Sequence, residues 1–423
     1  MKYETINMGA YNLHFIKTNK FKTITIDVDF YRNIKKEEIT KRNLLKMILL
    51  DSSRNYKTEK ELIIESENLY DIKVSSSISR LGTLSNLSFQ TKFLNEKYTE
   101  KNMNRESIIF FLDLIFDPNI ENNSFINIDK QKEKLRQNII SIKDNKPKLA
   151  HLKLMEKYNK REYGYNTFGY IEDLDKINGN NLYGYYKEVL DKDQIDIFVL
   201  GDFSSGEIKE IFREYFKVNT FKRNNKKLLV KELDIRKRII RFHEYDDVNQ
   251  VQVLLLLSLN NLTDFERKYT IKVLNEMLGG SSNSILFSRV REDKGYCYYI
   301  NSSVKAYDNI MVINSGVESK NTEKCIKLIR RVLKEVKEGK FDDSVIDSSI
   351  NTIVSGINAS LDNPIGIINT YFSKVLVGTE DAEERIKKFK SITKEDIVRA
   401  SKKINLNSIL TLEKGANNEE DKD

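Results

Sequence analysis

An α+β fold of two tandem homologous units, each an antiparallel sheet covered by helices on one face, is what this sequence predicts. Three observations predict it. The chain runs to 423 residues, too many for one ordinary hydrophobic core. Its pattern of elements is written twice. Within each copy, segments whose apolar residues alternate are interleaved with segments of 3.6-residue apolar period, the mixture that an α+β unit needs.

The first copy opens with an alternating strand, KTITIDVDF (22–30), followed by an amphipathic helix, EITKRNLLKMILLD (38–51). The second opens with VQVLLLLSL (251–259) and TDFERKYTIKVLNEMLGG (263–280). A short helix then turns through a polar bend into a strand, in KELIIESENLYDIKVSSSIS (60–79) and again in SILFSRVREDKGYCYYINSSV (284–304). Strand and helix follow as SNLSFQTKF (85–93) with ESIIFFLDLIF (106–116), and as NIMVINSGV (309–317) with TEKCIKLIRRVLKEVKEG (322–339). Each copy closes on a helix, a short turn, a buried strand and a glycine, INGNNLYGYYKEVLDKDQIDIFVLG (177–201) and ITKEDIVRASKKINLNSILTLEKG (392–415). Residues 1–217 and 238–415 are therefore the expected units, joined by a Lys/Arg-rich linker at 218–237 and followed by a frayed tail at 416–423.

Composition narrows the function classes. Hydrophobic residues make up 39% and charged residues 32%, the balance of a soluble globular surface around packed cores. No apolar run reaches the roughly 20 residues of a membrane helix, and MKYETINMGAYNLHF lacks the layout of a signal peptide, so a cytoplasmic location is expected and no membrane partner. The net charge of +8 is spread over many polar faces instead of being gathered with aromatics in one stripe, which argues against nucleic acid. Cys297 and Cys325 have no CxxC spacing and read as small buried residues of a reducing compartment.

SSNSILFSRVREDKGYCYY, with NLHFIKTNKFKT, DLDKINGNNLYGYY and IDIFVLGD, resembles the pitrilysin/insulinase type of zinc metallopeptidases, the group of the mitochondrial processing peptidases. The likeness spans essentially the whole chain and points to the zinc-less bacterial members, described as inactive metalloproteases or as associated with elongation factor P modification. It implies a half-clamp architecture. In active relatives the helix after the first central strand carries HxxEH, two zinc ligands around a glutamate base, and a later helix adds a glutamate ligand. Here Leu44, Leu45, Lys46, Met47 and Ile48 fall on the motif, and the later ligand falls near Asn138, with Ile139 beside it. The only histidines are His14, His151 and His243, none at HxxH or HxxxH spacing, and an ammonium at Lys46 would repel a dication. Leu44, Met47, Ile48 and Asn138 are thus read as a degenerate metal site, with no metal or cofactor in this chain.

The same resemblance gives Arg291 and Tyr298 a role. In the family an Arg and a Tyr seven residues apart face the zinc site across an enclosed chamber, and these two match, with Gly295 in the bend. A guanidinium can fix a peptide carbonyl or carboxylate with two donors, and a phenol can donate to a developing oxyanion. From spacing alone, Arg291 also reads as a helix-end arginine and Tyr298 as a packed sheet residue. Gly279 and Gly280 are expected to end the preceding helix and free the backbone for substrate, and SNLSFQTKF to offer an edge to extended peptide. The expected function is that of a non-catalytic subunit of a heterodimeric peptidase, binding peptide or unfolded protein with an HxxEH-bearing zinc paralogue that holds the only zinc. The alternative is a non-enzymatic peptide-binding or assembly protein in a modification pathway, and a homodimer also fits the fold.

Overall fold

The computed structural model describes residues 1–158, 162–216 and 238–415, so the expected linker at 218–237 and tail at 416–423 lie outside the described residues. In the first half the strands are β1 (Lys2–Asn7), β2 (Asn12–Lys17), β3 (Thr23–Asn33), β4 (Lys73–Leu81), β5 (Leu84–Leu94), the short β6 (Ile120–Glu121) and β7 (Ser124–Phe125), and β8 (Gln194–Gly201). Between them run α1 (Lys36–Ile48), α2 (Glu59–Asn68), α3 (Met103–Phe116), α4 (Ile128–Ile140), α5 (Lys146–Tyr158), α6 (Ile171–Leu174), α7 (Gly179–Lys192) and, after β8, α8 (Ser205–Tyr215). The second half has β9 (Ile240–Asp246), β10 (Val251–Leu259), α9 (Ile271–Asn275), β11 (Cys297–Lys305), β12 (Ile310–Val317), α10 (Thr322–Lys337), α11 (Asp343–Ser360), α12 (Pro364–Val377), α13 (Ala382–Lys390), α14 (Lys394–Lys402) and β13 (Ile404–Lys414).

The repeat is exact in topology. One sheet has the order β1-β2-β8-β3-β5-β4 and the other β11-β12-β10-β13-β9, so that removing β1 from the first leaves the second read backwards. The sheets are mixed, not purely antiparallel as expected: β2 runs parallel to β8, and β9 to β13. The reason is geometric. The closing strand inserts between the opening and central strands, antiparallel to the central one, and therefore runs the same way as the opening one. In both copies the helix leading into that strand starts with a capping box, Asn178 with Asn181 and Thr393 with Asp396.

The compact units do not follow the two halves of the sequence. Residues 362–372 group with the first unit, and 141–158 and 162–165 with the second. In the second unit this adds a helix to the face expected to be bare. Ala150, Leu154 and Met155 of α5 pack on Leu254, Leu256, Ile310, Val312, Leu410 and Leu412, while Val253, Leu255 and Leu257 point into the main core on the opposite face. Burial on both faces explains why VQVLLLLSL is apolar almost throughout instead of alternating.

In the first unit β3 does alternate. Ile24, Ile26, Val28 and Phe30 enter the core with Leu44, Leu45, Ile48 and Phe111. The odd residues build a polar layer on the other face: Asp27 accepts from Ser88 Oγ at 2.5 Å and Gln90 Nε2 at 2.9 Å, and Asp29 from Asn86 Nδ2 at 2.6 Å. Beside them His14 Nε2 lies 3.1 Å from Asp196 Oδ1, which also accepts from Asn12 Nδ2 at 2.6 Å, and the Tyr31 hydroxyl donates to Oδ2. Phe372 packs against Tyr31 and Phe198, and Tyr371 stacks on Tyr3. His14 is therefore a satisfied core residue.

Each unit ties the helix after its central strand to the corner before its closing strand by an ion pair. In the first, Asp193 accepts from Arg42 at 2.7 Å and lies 2.7 Å from Arg32 Nε; all three are buried. In the second, Lys403 pairs with buried Glu266 at 2.6 Å. Asp193→Ala leaves the Arg42 guanidinium buried without its carboxylate and Arg32 with Glu38 and Glu188 alone, and denaturant unfolding is expected to show a loss of about 3–5 kcal/mol. A second prediction concerns Asp27, whose carboxyl is pushed by burial from 3.8 up to about 6. Its ionisation opposes folding, so its share of stability is present below the unfolded value and is lost as pH rises to about 6. Asp27→Asn should flatten the fall in melting temperature over that window, and an unchanged slope would count against the assignment.

Candidate functional site

The helix expected to carry the lost metal motif is α1. Acidic Glu37 and Glu38 in its first turn and Lys46 in its last suit the helix dipole. Leu44 and Ile48 sit one turn apart on the same face, buried in the core, and Met47 packs partly against it. α4 packs on α1, and its Leu135 and Ile139 join the same core. Asn138, by contrast, is exposed, so the structure turns Ile139 and not Asn138 toward α1. Thioether and aliphatic side chains supply no donor set that fits zinc. Among the described residues no three His, Cys, Asp or Glu gather where they could hold a metal. Lys46 is half-buried, which pulls its ammonium below the usual lysine range, and it makes no ion pair among the described residues.

The strand expected to offer an edge does not. SNLSFQTKF lies in β5, paired with β3 on one side and β4 on the other. β4 is the edge of that sheet, because the polar bend after α2 sends KVSSSISRL outward as the last strand. It passes α1 closely enough for Ser76 Oγ to donate to Lys46 O at 3.2 Å.

The second unit positions Arg291 and Tyr298. Helical turns over Phe287–Glu292 are π-wound, with Asp293 N–H reaching back to Ser288 O at 2.8 Å. Gly295 closes them at φ +59°, in the left-handed region, donating to Arg291 O at 3.0 Å. The guanidinium of Arg291 does not turn back onto that helix end. It lies 4.6 Å from the ring centroid of Phe287, one turn earlier, and enters no ion pair among the described residues. Arg289, two residues before, pairs instead with Glu335.

Tyr298 owes its direction to a β-bulge on an edge strand. Cys297 faces Val317 while Tyr299 faces Gly316, so Tyr298 is the extra residue of β11. It is 59% exposed, and its hydroxyl has no hydrogen bond among the described residues. Tyr299 is held differently: its hydroxyl donates to Gln252 and its ring lies across Gly316, where a Cβ would meet Tyr299 Cε1 at 2.4 Å. Neither plain alternative describes the pair, since Arg291 caps no carbonyl among the described residues and Tyr298 is not packed in the sheet. Gly279 serves packing: a Cβ there would stand 2.7 Å from Ser302 N of β11, so the helix end approaches the strand more closely than any side chain allows. Sequence reasoning missed Phe287 as the seat of Arg291, although their i, i+4 spacing was a signal; the bulge left none.

With its duplicated α+β unit, an α1 filled with aliphatic side chains and an exposed Arg/Tyr pair on the second copy, the chain is similar to peptidase homologues of the M16 class. Residues 176–353 match the model of the Peptidase M16 inactive domain. It is 27% identical over 407 residues, 95% of each chain, to the "Probable inactive metalloprotease YmfF" of Bacillus subtilis. It is 25% identical over 256 residues, 59% of this chain and 60% of the other, to the "Uncharacterized zinc protease YmxG" of the same organism. The crystal structure of a conserved protein from Enterococcus faecalis superposes with a TM-score of 0.92 at 26% identity, covering 99% of this chain and all of that one.

Gly316→Ala tests the bulge. The added methyl must displace the Tyr299 ring, so an overpacking loss of roughly 1–3 kcal/mol is expected in unfolding, with changed tyrosine near-ultraviolet dichroism. Wild-type values for both would refute the account of how Tyr298 is aimed.

Proposed function

We propose that this chain is a non-catalytic subunit of a peptidase assembly, lending Arg291 and Tyr298 to peptide held at the zinc site of an HxxEH-bearing paralogue. The observation that carries this is the state of the pair: two groups suited to a carbonyl and an oxyanion, exposed on one unit, with neither an acid nor a hydrogen-bond acceptor of their own among the described residues. A relative named a probable inactive metalloprotease and one named an uncharacterized zinc protease occur together in Bacillus subtilis, which agrees with division of labour between paralogues. The chain's own part is positional. Arg291, seated on Phe287, orients a carbonyl or terminal carboxylate with its free N–H groups; Tyr298, thrown outward by the bulge, donates to charge developing on an attacked carbonyl oxygen.

A second reading is a peptide-binding or assembly protein with no proteolysis, serving a modification pathway such as that of elongation factor P. What favours it is the edge strand β4 beside α1, which supports extended peptide by backbone pairing without any metal.

The two readings separate in one assay. The organism's HxxEH-bearing relative is given a quenched fluorescent peptide library, alone, with wild-type chain, and with Arg291→Ala/Tyr298→Phe. Under the first reading, cleavage rises only with the wild type, and the double variant loses roughly a hundredfold or more. Equal rates in all three mixtures overturn it, and peptide binding by this chain alone then supports the second.

A further inference from the structure

The first unit holds a cavity that the role proposed for Arg291 and Tyr298 does not use. It lies between α2, α3 and the start of β4, and its volume of about 420 Å³ falls within the range of small-molecule sites. Its origin is in the sequence of α2. Glu59, Leu62, Ile63, Ser66 and Glu67 recur at the helical period on the face of α2 that lines the cavity. A helix face that completes a core is apolar along its length, whereas this one is apolar only in the middle, with a serine beside it and a glutamate at each end. It leaves the space in front of Phe110 and Leu114 of α3 unfilled, no residue of α2 is buried, and Ile63 is 53% exposed.

α2 is held off that wall at both ends. Thr58 and Glu61 form a capping box at its start, and Glu59 pairs with Lys130 of α4 at 3.1 Å. At its other end Ser66 Oγ donates to Ile72 O at 2.8 Å, and Ile72 N–H returns to Ser66 O at 3.2 Å. The cavity is therefore preformed by fixed elements.

Its lining is apolar inside and acidic at the mouth. Leu50, Ile72 and Val74 complete the apolar part, while the ionisable groups are Glu59, Glu67 and Asp71 against Lys73 alone. That excess of carboxylates reverses the balance of the whole chain, whose formal net charge is +8. Lys73 lies 2.5 Å from Asp71 and Lys130 answers Glu59, so the charge left over is that of Glu67, exposed and in no ion pair among the described residues. An apolar interior behind an unanswered carboxylate repels fatty acids and other apolar anions and attracts an apolar cation.

We propose that this cavity binds a small apolar cation, its hydrocarbon body seated against Phe110 and Leu114 and its ammonium head at Glu67. The site is separate from Arg291 and Tyr298 and does not depend on the peptidase reading.

The test is titration calorimetry on the full-length chain with octyltrimethylammonium below its micelle concentration, beside octyl sulfate, tetramethylammonium and the basic, apolar peptide KFLK. Saturable binding of one octyltrimethylammonium per chain is expected, with octyl sulfate weaker by roughly fivefold or more and tetramethylammonium silent. Amide hydrogen exchange over 59–74 should slow when the site is filled. Glu67→Lys and Ile63→Ser change exposed residues and should leave the fold intact by circular dichroism. The first should abolish the preference for the cation, and the second should weaken the octyl probe by roughly fivefold or more. No saturable binding, equal affinity for cation and anion, wild-type binding by both variants, or protection only away from 59–74 overturns the proposal. Binding of the peptide alone also overturns it and assigns the surface to a protein partner.

Discussion

The tie between the helix after each central strand and the corner before each closing strand is the constraint from which the rest of each unit follows. In both copies the closing strand must be threaded between two strands laid down far earlier in sequence, and its register fixes the sheet. An ion pair at the entry to that strand sets where it starts. The pair survives duplication as a position, not as a chemistry: the acid is on the corner in the first unit and on the helix in the second. Attraction between opposite charges is indifferent to which side carries which sign, whereas leaving either one buried and alone is costly. Such a site tolerates exchange of both partners and resists loss of one.

The same helix shows what packing gains where no donors are present. A zinc site needs donors held near the surface of a core, and those donors oppose packing. With Leu44 and Ile48 on the positions that the resemblance gives to donors, α1 is an ordinary amphipathic helix, each buried aliphatic side chain stabilising by roughly 1.5–3 kcal/mol. Nothing comparable has occurred around Arg291 and Tyr298. Burying them would have been easy, since the neighbouring Cys297 and Tyr299 are held by the sheet, yet a bulge and a glycine keep Tyr298 outside.

Much of this was legible in the sequence and some of it could not be. The strands and helices of both copies were readable because period and duplication reinforce one another, and it is the family resemblance that sets Leu44, Met47 and Ile48 on expected donor positions. Strand order was not readable. SNLSFQTKF is expected to offer an edge on the family resemblance alone, but its Ser88 and Gln90 face a buried carboxyl layer, and polarity in sequence does not distinguish solvent from Asp27. The exposure of Asn138 next to a buried Ile139 depends on helix rotation that one residue decides. The parallel pairs follow from insertion of a late strand between early ones, which only a topology reveals.

The exchange of segments between units has a bearing on how the protein comes into being. A ribosome delivers the chain from one end, and domains ordinarily fold in the order in which they emerge. Here the first unit includes Tyr371 and Phe372, which pack on Tyr3, Tyr31 and Phe198, so it stays incomplete until most of the second has been synthesised. α5 must meanwhile wait for β10, β12 and β13, with Ala150, Leu154 and Met155 exposed in the interim. Duplication has therefore not produced two independently inherited modules, but one object whose earliest residues are finished by its latest.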